Sequence, residues 1–304
     1  MPEVCFILIN VSCTMKTKLL FFCAWLFSAY TFAQQDSSDS KKLQLSGGVQ
    51  FISNQTYAGR TDSLKLPVLI PGLKLVLQKT FYINTKAYFN LSAGKTSLDG
   101  VSIEPGYQFS KNNWDGSFSI IKNFISDSSN LIIAPVNASV EFYLGKETKL
   151  IDPFIGSEYV FSNEGNDFII YLGVSKNVGF SKANSRITVN AEPSLSSVAG
   201  TQNFYYSYLK SYSSNGNKGS GRTKGNSNPA LSIPLIAQLV KLQSNSFSLL
   251  SSAIELPITA STNGFSFTIS PSMEIPANLI SNDASGSQNS SSIIYISAGL
   301  LFDF

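Results

Sequence analysis

The stretch Ser292-Ile293-Ile294-Tyr295-Ile296-Ser297-Ala298-Gly299-Leu300-Leu301-Phe302-Asp303-Phe304 decides how the rest of this chain is read. At period 2, one face carries Ile294, Ile296, Ala298, Leu300, Phe302 and Phe304, and the other Ile293, Tyr295, Ser297, Gly299, Leu301 and Asp303. Successive side chains of a strand point to opposite sides. This is therefore a strand with one wholly apolar face and one mixed face. A strand closing a soluble sandwich would seldom stop on an aromatic residue with no polar tail.

The same alternation recurs upstream. Ile83, Ala87, Phe89 and Leu91 oppose Tyr82, Asn84, Lys86, Tyr88 and Asn90; Ile103, Pro105, Tyr107 and Phe109 oppose Ser102, Glu104, Gly106 and Gln108. From Ile132 to Leu144, Ala134, Val136, Ala138, Val140 and Phe142 oppose Asn137, Ser139, Glu141 and Tyr143. From Arg186 to Ser196, Ile187, Val189, Ala191 and Leu195 oppose Arg186, Thr188, Asn190, Glu192 and Ser194, and from Phe265 to Pro276, Phe267, Ile269, Met273 and Ile275 oppose Ser266, Thr268, Ser270, Ser272 and Glu274. Less regular alternation marks Leu43–Phe51, Leu73–Lys79, Phe118–Ile125, Ile151–Phe161, Phe168–Asn177 and Phe247–Thr259. No segment beyond the leader has the length of a membrane helix. A closed barrel is the other structure that satisfies every backbone group in lipid.

The terminal strand, with its apolar face and its Phe302 and Phe304, resembles the C-terminal strand of Gram-negative outer-membrane β-barrels. The likeness is close over this strand and extends to the remainder only as a pattern. It implies that Phe302 and Phe304 form the signal read by the barrel-insertion machinery. It also implies an all-β fold, a closed antiparallel transmembrane β-barrel with long outer loops. With the N-terminus on the periplasmic side, the connections at 54–63, 94–100, 127–130 and 162–167 become outer loops, and those at 79–81, 111–116, 145–149 and 178–185 periplasmic turns. Parity becomes ambiguous at 200–246. Treating that span as one outer loop gives about 12 strands; counting Phe204–Lys210 and Leu231–Leu242 as strands gives about 14, since bacterial barrels of this kind have even numbers. The Gly-, Ser-, Asn- and Lys-rich tract Asn215–Asn228 favours the loop.

Residues Met15 to Ala33 combine a basic start (Lys16, Lys18), an apolar run from Leu19 to Phe27 and a Thr31-Phe32-Ala33 ending. This reads as a secretory signal peptide over 1–33, with Met15 the true start and cleavage after Ala33. Residues 34–41 form a short periplasmic segment and 42–304 the barrel. The chain has no histidine, and its three cysteines, Cys5, Cys13 and Cys23, all lie in the leader. Disulfides, thiolate nucleophiles, a Ser-His relay and His-based metal sites are thereby excluded from the mature part. Enzymatic outer-membrane barrels such as phospholipases and proteases resemble one another in needing a histidine, so no catalytic role, metal or cofactor is expected. Without residues 1–33 the chain keeps 20 basic and 18 acidic residues, which offers nothing to nucleic acid.

With the apolar faces toward lipid, Glu104, Glu141, Glu158, Glu192, Glu255, Glu274, Lys74, Lys86 and Arg186 point inward. The excess of carboxylates suits an aqueous path for small polar solutes or ions with a cation bias. The alternative is a lumen filled by cross-strand ion pairs and hydrogen bonds, in a non-conducting surface barrel whose loops bind a partner or lipopolysaccharide. Glu141 and Glu158, on strands joined by a tight turn, have the makings of an acid/base pair, but inward glutamates belong to any polar lumen. Lys210, Lys218, Arg222 and Lys224 form a basic loop cluster suited to lipopolysaccharide phosphates. Trp114 and Tyr143 read as interfacial anchors. Replacing Phe304 with Ser should slow or block assembly, seen as loss of heat-modifiable, protease-resistant barrel from the membrane fraction; normal amounts of that species would refute the reading of this strand.

Overall fold

The structure is a computed structural model and describes residues 43–61, 66–91, 96–126, 129–180, 186–216, 241–279 and 292–304. The alternating segments become strands over most of their length, and two short strands are added in the first long connection: β1 (Leu43–Ile52), β2 (Thr56–Tyr57), β3 (Arg60–Thr61), β4 (Val68–Leu77), β5 (Phe81–Asn90), β6 (Ser97–Lys111), β7 (Trp114–Ile125) and β8 (Val136–Lys146). They continue as β9 (Asp152–Ser162), β10 (Asn166–Ser175), β11 (Val178–Gly179), β12 (Thr188–Ala191) and β13 (Ser194–Gly200). One helix, α1 (Asn203–Gly216), precedes β14 (Ser248–Glu255), β15 (Ile258–Thr262), β16 (Phe265–Pro276) and β17 (Ile293–Asp303).

Every strand of the large sheet pairs antiparallel with its neighbour, and β17 pairs both with β16 and with β1, so the sheet closes on itself. Three staves are each made of two pieces in one register. Ser175 pairs with Ser194 and, further down, Val178 with Ala191, so β11 and β12 extend β10 and β13. Ser194 pairs with Glu255 and Ala191 with Ile258, so β15 extends β14. Pro193 and Pro257, which lack an N–H, mark two of the breaks, yet their carbonyls still accept from Lys176 and Glu192. The result is a closed barrel of 12 antiparallel strands.

The connections fall at two ends. One end has tight links such as Asn112-Asn113, both at positive φ (53° and 65°), joining Lys111 to its partner Trp114. Two consecutive positive φ values match the primed turn that suits strand twist, and Asn tolerates them better than most residues. This is the turn end. The other, the loop end, carries among the described residues 53–61, 66–67, 129–135, 201–216 and 241–247.

Outward positions form an apolar band that includes Phe118, Ile120, Phe142, Ile155, Leu172, Ile254 and Ile296, all at least two-fifths exposed. In water such a surface would drive aggregation; in lipid it is the matching solvent. Lys122 lies on this face near the loop end, its Nζ 5.7 Å from the Phe124 ring, where a long stem can carry the charge to the interface.

Some local expectations are corrected. β8 starts at Val136, not Ile132, because 132–135 turns and carries Ile132 into the interior. Arg186 lies in the connection before β12 and is exposed, so it is not an inward strand residue. Phe204–Lys210 is helix, neither strand nor plain loop. Of the alternative strand at Leu231–Leu242, residues 231–240 lie outside the described residues. Tyr143, read as an interfacial anchor, pairs with Ser117 and Gly156 on the inward row and packs its ring 6.1 Å from Phe154.

Placing Arg at Ile120, mid-strand on the outer face, should destabilise the barrel by ~2–4 kcal/mol, whereas Arg at the inward Ser117 should cost less than about 1 kcal/mol. Denaturant titration in lipid vesicles distinguishes the two; equal costs would mean that the outer band does not face lipid.

Candidate functional site: the barrel lumen

The lumen divides into two sections with different chemistry. In the turn half, inward side chains are long and polar. Lys74 Nζ donates to Gln108 Oε1 at 3.2 Å and sits 4.5 Å from the Tyr82 ring centroid. Glu104 accepts from Tyr82 Oη at 2.9 Å and Asn84 Nδ2 at 3.0 Å, and pairs with Lys86 Nζ at 3.5 Å. Tyr82 lies flat enough to cross the wall because Gly106, on the neighbouring strand, has no Cβ to meet its ring. Lys86 keeps 40% of its side chain exposed, so this section is wet. The opposite wall is lined by small hydroxyls, among them Ser194, Ser266, Thr268 and Ser270, which share the inward row with Glu255 and Glu274.

Higher up, Glu141 and Glu158 stand directly opposite each other on β8 and β9. Only Glu158 is fully engaged: it is buried, and its two oxygens accept from Tyr57 Oη and Tyr171 Oη, both at 2.8 Å. Among the described residues Glu141 has no hydrogen-bond partner. Glu274 accepts from Ser251 Oγ at 2.8 Å, and Glu255 from Tyr295 Oη at 3.5 Å. Glu192, exposed near the turn end, accepts from Ser175 Oγ. The lumen thus brings together Glu104, Lys74 and Lys86 in one cluster and Glu141 with Glu158 in another, while Arg186 joins neither.

The loop half is closed by inserted chain. Strands β2 and β3 form a hairpin that folds inward, turning through Ala58 and Gly59 at φ 47° and 77°. A Cβ at residue 59 would collide with Ser251, so the turn needs glycine for both conformation and space. Tyr57 at the hairpin tip reaches Glu158, and its ring meets Phe204 edge-on at 4.8 Å. Burial, followed by the Glu158 charge, holds the Tyr57 phenol well above its usual pKa, so it remains a donor. Helix α1 supplies Phe204, Tyr205 and Tyr208, which pack with Ile132, Val136, Val160, Ile169, Val198 and Leu250 into a buried apolar cluster. The helix start is fixed by Asp167 of β10, which accepts from the N–H groups of Asn203 at 2.6 Å and Phe204 at 2.7 Å. A carboxylate there satisfies orphan donors and opposes the positive helix end.

Arg60 ties the two inserted pieces together. It is 1% exposed and donates to Gln202 Oε1 from both Nε (3.0 Å) and Nη2 (2.7 Å). It donates further to the carbonyls of Leu250, Ala277 and Asn278 at 3.0, 2.9 and 3.1 Å. Burial lowers its pKa to about 10, which leaves it cationic at neutral pH. Its hydrogen bonds among the described residues all go to neutral oxygens, so the guanidinium is solvated by the protein itself.

Of the basic loop cluster, Lys210 is committed to Glu164 at 2.5 Å. Lys218, Arg222 and Lys224 lie outside the described residues. Phe302 and Phe304 are both exposed, and Phe302 packs 5.3 Å from Phe265. Tyr57, Arg60, Asp167, Tyr171 and Gln202 were missed by sequence reasoning. Only the Ala58-Gly59 turn signal inside an outer loop hinted at a folded hairpin.

The architecture is a closed antiparallel β-barrel with an apolar outer face. No protein-family model matches the sequence, and no curated protein matches it. Among solved structures, the chain is similar in fold to a KdgM porin, with a TM-score of 0.46 and 5% identity over 85% of this chain and 99% of that one. It is similar also to the COG4313 outer membrane channel from Pseudomonas putida F1, with a TM-score of 0.45 and 7% identity over 89% and 98% of the two chains. LpxR from Salmonella typhimurium follows at a TM-score of 0.44 and 9% identity over 85% and 100%.

Replacing Arg60 with Ala would remove the donor from Gln202 Oε1 and the Ala277 carbonyl and one of two donors from the Leu250 and Asn278 carbonyls, at a cost to loop-end closure of about 3 kcal/mol. Hydrogen exchange at 53–61 and 203–210 should accelerate at least tenfold while the barrel remains heat-modifiable. Arg60→Lys should restore part of the protection, since an ammonium offers three donors where the guanidinium offers five. Unchanged exchange in both variants would show that Arg60 does not hold the closure.

Proposed function

We propose that this chain is an outer-membrane barrel for the passage of small polar solutes or ions, held shut at its loop end in the state seen here. The observation that carries this reading is where the obstruction comes from. The turn half of the lumen is polar and wet, and the loop half is blocked by chain that enters from the connections, not by side chains of the wall alone. A wall-filled lumen cannot be cleared without unfolding the barrel; an inserted hairpin and helix can leave it standing. The loops then face outward and the turns the periplasm, and residues 1–33 act as the export signal. The barrel-insertion machinery reads the Phe302 and Phe304 end during assembly.

The inward carboxylates Glu104, Glu141, Glu158, Glu192, Glu255 and Glu274 outnumber the inward cations Lys74 and Lys86, so the path should favour cations. A second reading is a non-conducting surface barrel. It is favoured by the same closure, and by helix α1 and Lys210 standing at the loop end where a partner or lipopolysaccharide would meet them.

Planar-bilayer recording separates the two. The native chain should conduct rarely, and a variant with 203–246 replaced by a short Gly-Ser linker should show frequent, cation-selective steps. Glu104→Gln with Glu141→Gln in that background should reduce the selectivity by severalfold, and 1 M salt should reduce it as well, as the Debye length falls to ~3 Å. If the shortened barrel folds and stays silent, the transport reading is wrong and the surface-barrel reading stands.

A further inference from the structure

At the turn end of the outer surface, three neighbouring strands bring Lys111, Trp114 and Lys146 into one row. Lys111 pairs with Trp114 across β6 and β7, and Trp114 pairs with Lys146 across β7 and β8. All three are exposed, and they share the face of Phe109, Phe118 and Phe142 in the apolar band. Adjacent strands lie about 4.8 Å apart, so the row spans roughly 10 Å with an indole between two ammonium groups. Lys146 Nζ lies 4.9 Å from the Trp114 ring centroid. Neither lysine has an ion pair or hydrogen bond among the described residues, whereas Lys86, Lys176 and Lys210 are each paired with a carboxylate.

The surroundings fit a lipid headgroup better than open water. Toward the membrane the row borders an aromatic group, with Tyr107 and Phe109 rings 6.5 Å apart and Phe81 5.3 Å from Tyr107. In the next turn Leu150 and Ile151 are 83% and 55% exposed and widen the apolar surface beside Lys149. The nearby acids leave the row positive: Asp115 pairs with Ser110 and Gly145 on the opposite, inward face, and Glu147 stands one residue beyond the strand tip. Acyl chains lying on Phe109 and Phe118 would bring a phosphate to the level of both ammonium groups, with the indole N–H as a further donor.

We propose that the Lys111–Trp114–Lys146 row is a binding site for the phosphate of an anionic glycerophospholipid in the leaflet at the turn end. Charge complementarity selects the headgroup: two unpaired cations meet one net negative charge. A zwitterionic lipid offers its own ammonium in competition. The inference rests on the outer-membrane orientation given above, but not on whether the barrel conducts.

The two tryptophans of the chain are Trp25 and Trp114, and Trp25 lies in the export signal, so the barrel prepared without residues 1–33 has Trp114 as its sole indole. That protein is reconstituted in equimolar phosphatidylglycerol and phosphatidylcholine vesicles, with brominated acyl chains on one lipid or the other. Brominated phosphatidylglycerol should quench Trp114 at least twofold more than brominated phosphatidylcholine. Lys111→Gln with Lys146→Gln should equalise the two while the protein stays heat-modifiable. Should that variant fail to fold, 1 M salt on the parent protein should equalise them instead, because exposed charges are then screened within ~3 Å. Equal quenching in the parent, or a preference that survives both the substitutions and salt, overturns the proposal. So does stronger displacement of phosphatidylglycerol by lipid A, which would assign the row to the other leaflet.

Discussion

Everything in this fold depends on the ladder between the first and last strands. From Ser46–Asp303 to Ile52–Ser297, β1 and β17 pair over their whole overlap and remove the last free edge of the sheet. In hydrocarbon an unpaired backbone group costs several kcal/mol, so an open sheet of this length could not remain there. Closure sets the rest. Twelve tilted strands enclose more space than eight, whose side chains can fill the interior unaided. Alternation then gives the two surfaces opposite solvents, lipid outside and water or inserted chain inside.

Why the lumen has two characters follows from which side chains the wall supplies. Near the turns the inward rows offer Lys, Glu, Gln and Tyr on one side and Ser and Thr on the other, and these groups bond to one another or to water. Near the loops the inward rows offer Val136, Val160, Ile169 and Val198. Apolar residues facing an aqueous bore would gain nothing; they require a covering, which Phe204, Tyr205, Tyr208 and the hairpin provide. Burial of each large side chain there contributes ~1.5–3 kcal/mol, enough together to order a segment that pays the usual entropy of fixing.

This division also explains how much was legible beforehand. Strand alternation is local, so the staves, the even count with 200–246 taken as a loop, and the inward rows with Glu104, Glu141 and Glu158 could be read from residue spacing. What could not be read depends on tertiary partners. Phe204-Tyr205-Tyr206-Ser207-Tyr208 has the composition of a strand, and it becomes a helix because Asp167, distant in sequence, caps it and because the mouth needs its aromatic face. Val160 and Ile169 lie on two of the less regular strands, and nothing local in them signals the apolar cover they receive. Arg60 falls within the connection 54–63 read as an outer loop, and nothing nearby in sequence announces Gln202, Ala277 or Asn278 as its partners. Arg186 erred the other way, since its alternation was read one turn too far into the connection before Thr188.

The two inserted pieces are held by different forces, and Arg60 makes them act as one. Helix α1 is held chiefly by apolar burial, which is lost in full when the surface meets water. The hairpin is held chiefly by Tyr57 on Glu158 and by the Arg60 hydrogen bonds, and polar bonds exchange with water at a net cost of about 0.5–3 kcal/mol each. Alone, the hairpin would be the looser part. Yet Arg60 bonds to Gln202 just ahead of the helix and to Ala277 and Asn278 across the mouth, so withdrawing the hairpin strips the buried acceptors around the helix start. Partial withdrawal would leave a cation or its acceptors dry and unsatisfied, which costs more than either complete state. The closure is therefore cooperative: hairpin and helix are held as one unit, and the carboxylates beneath them are covered while that unit is in place.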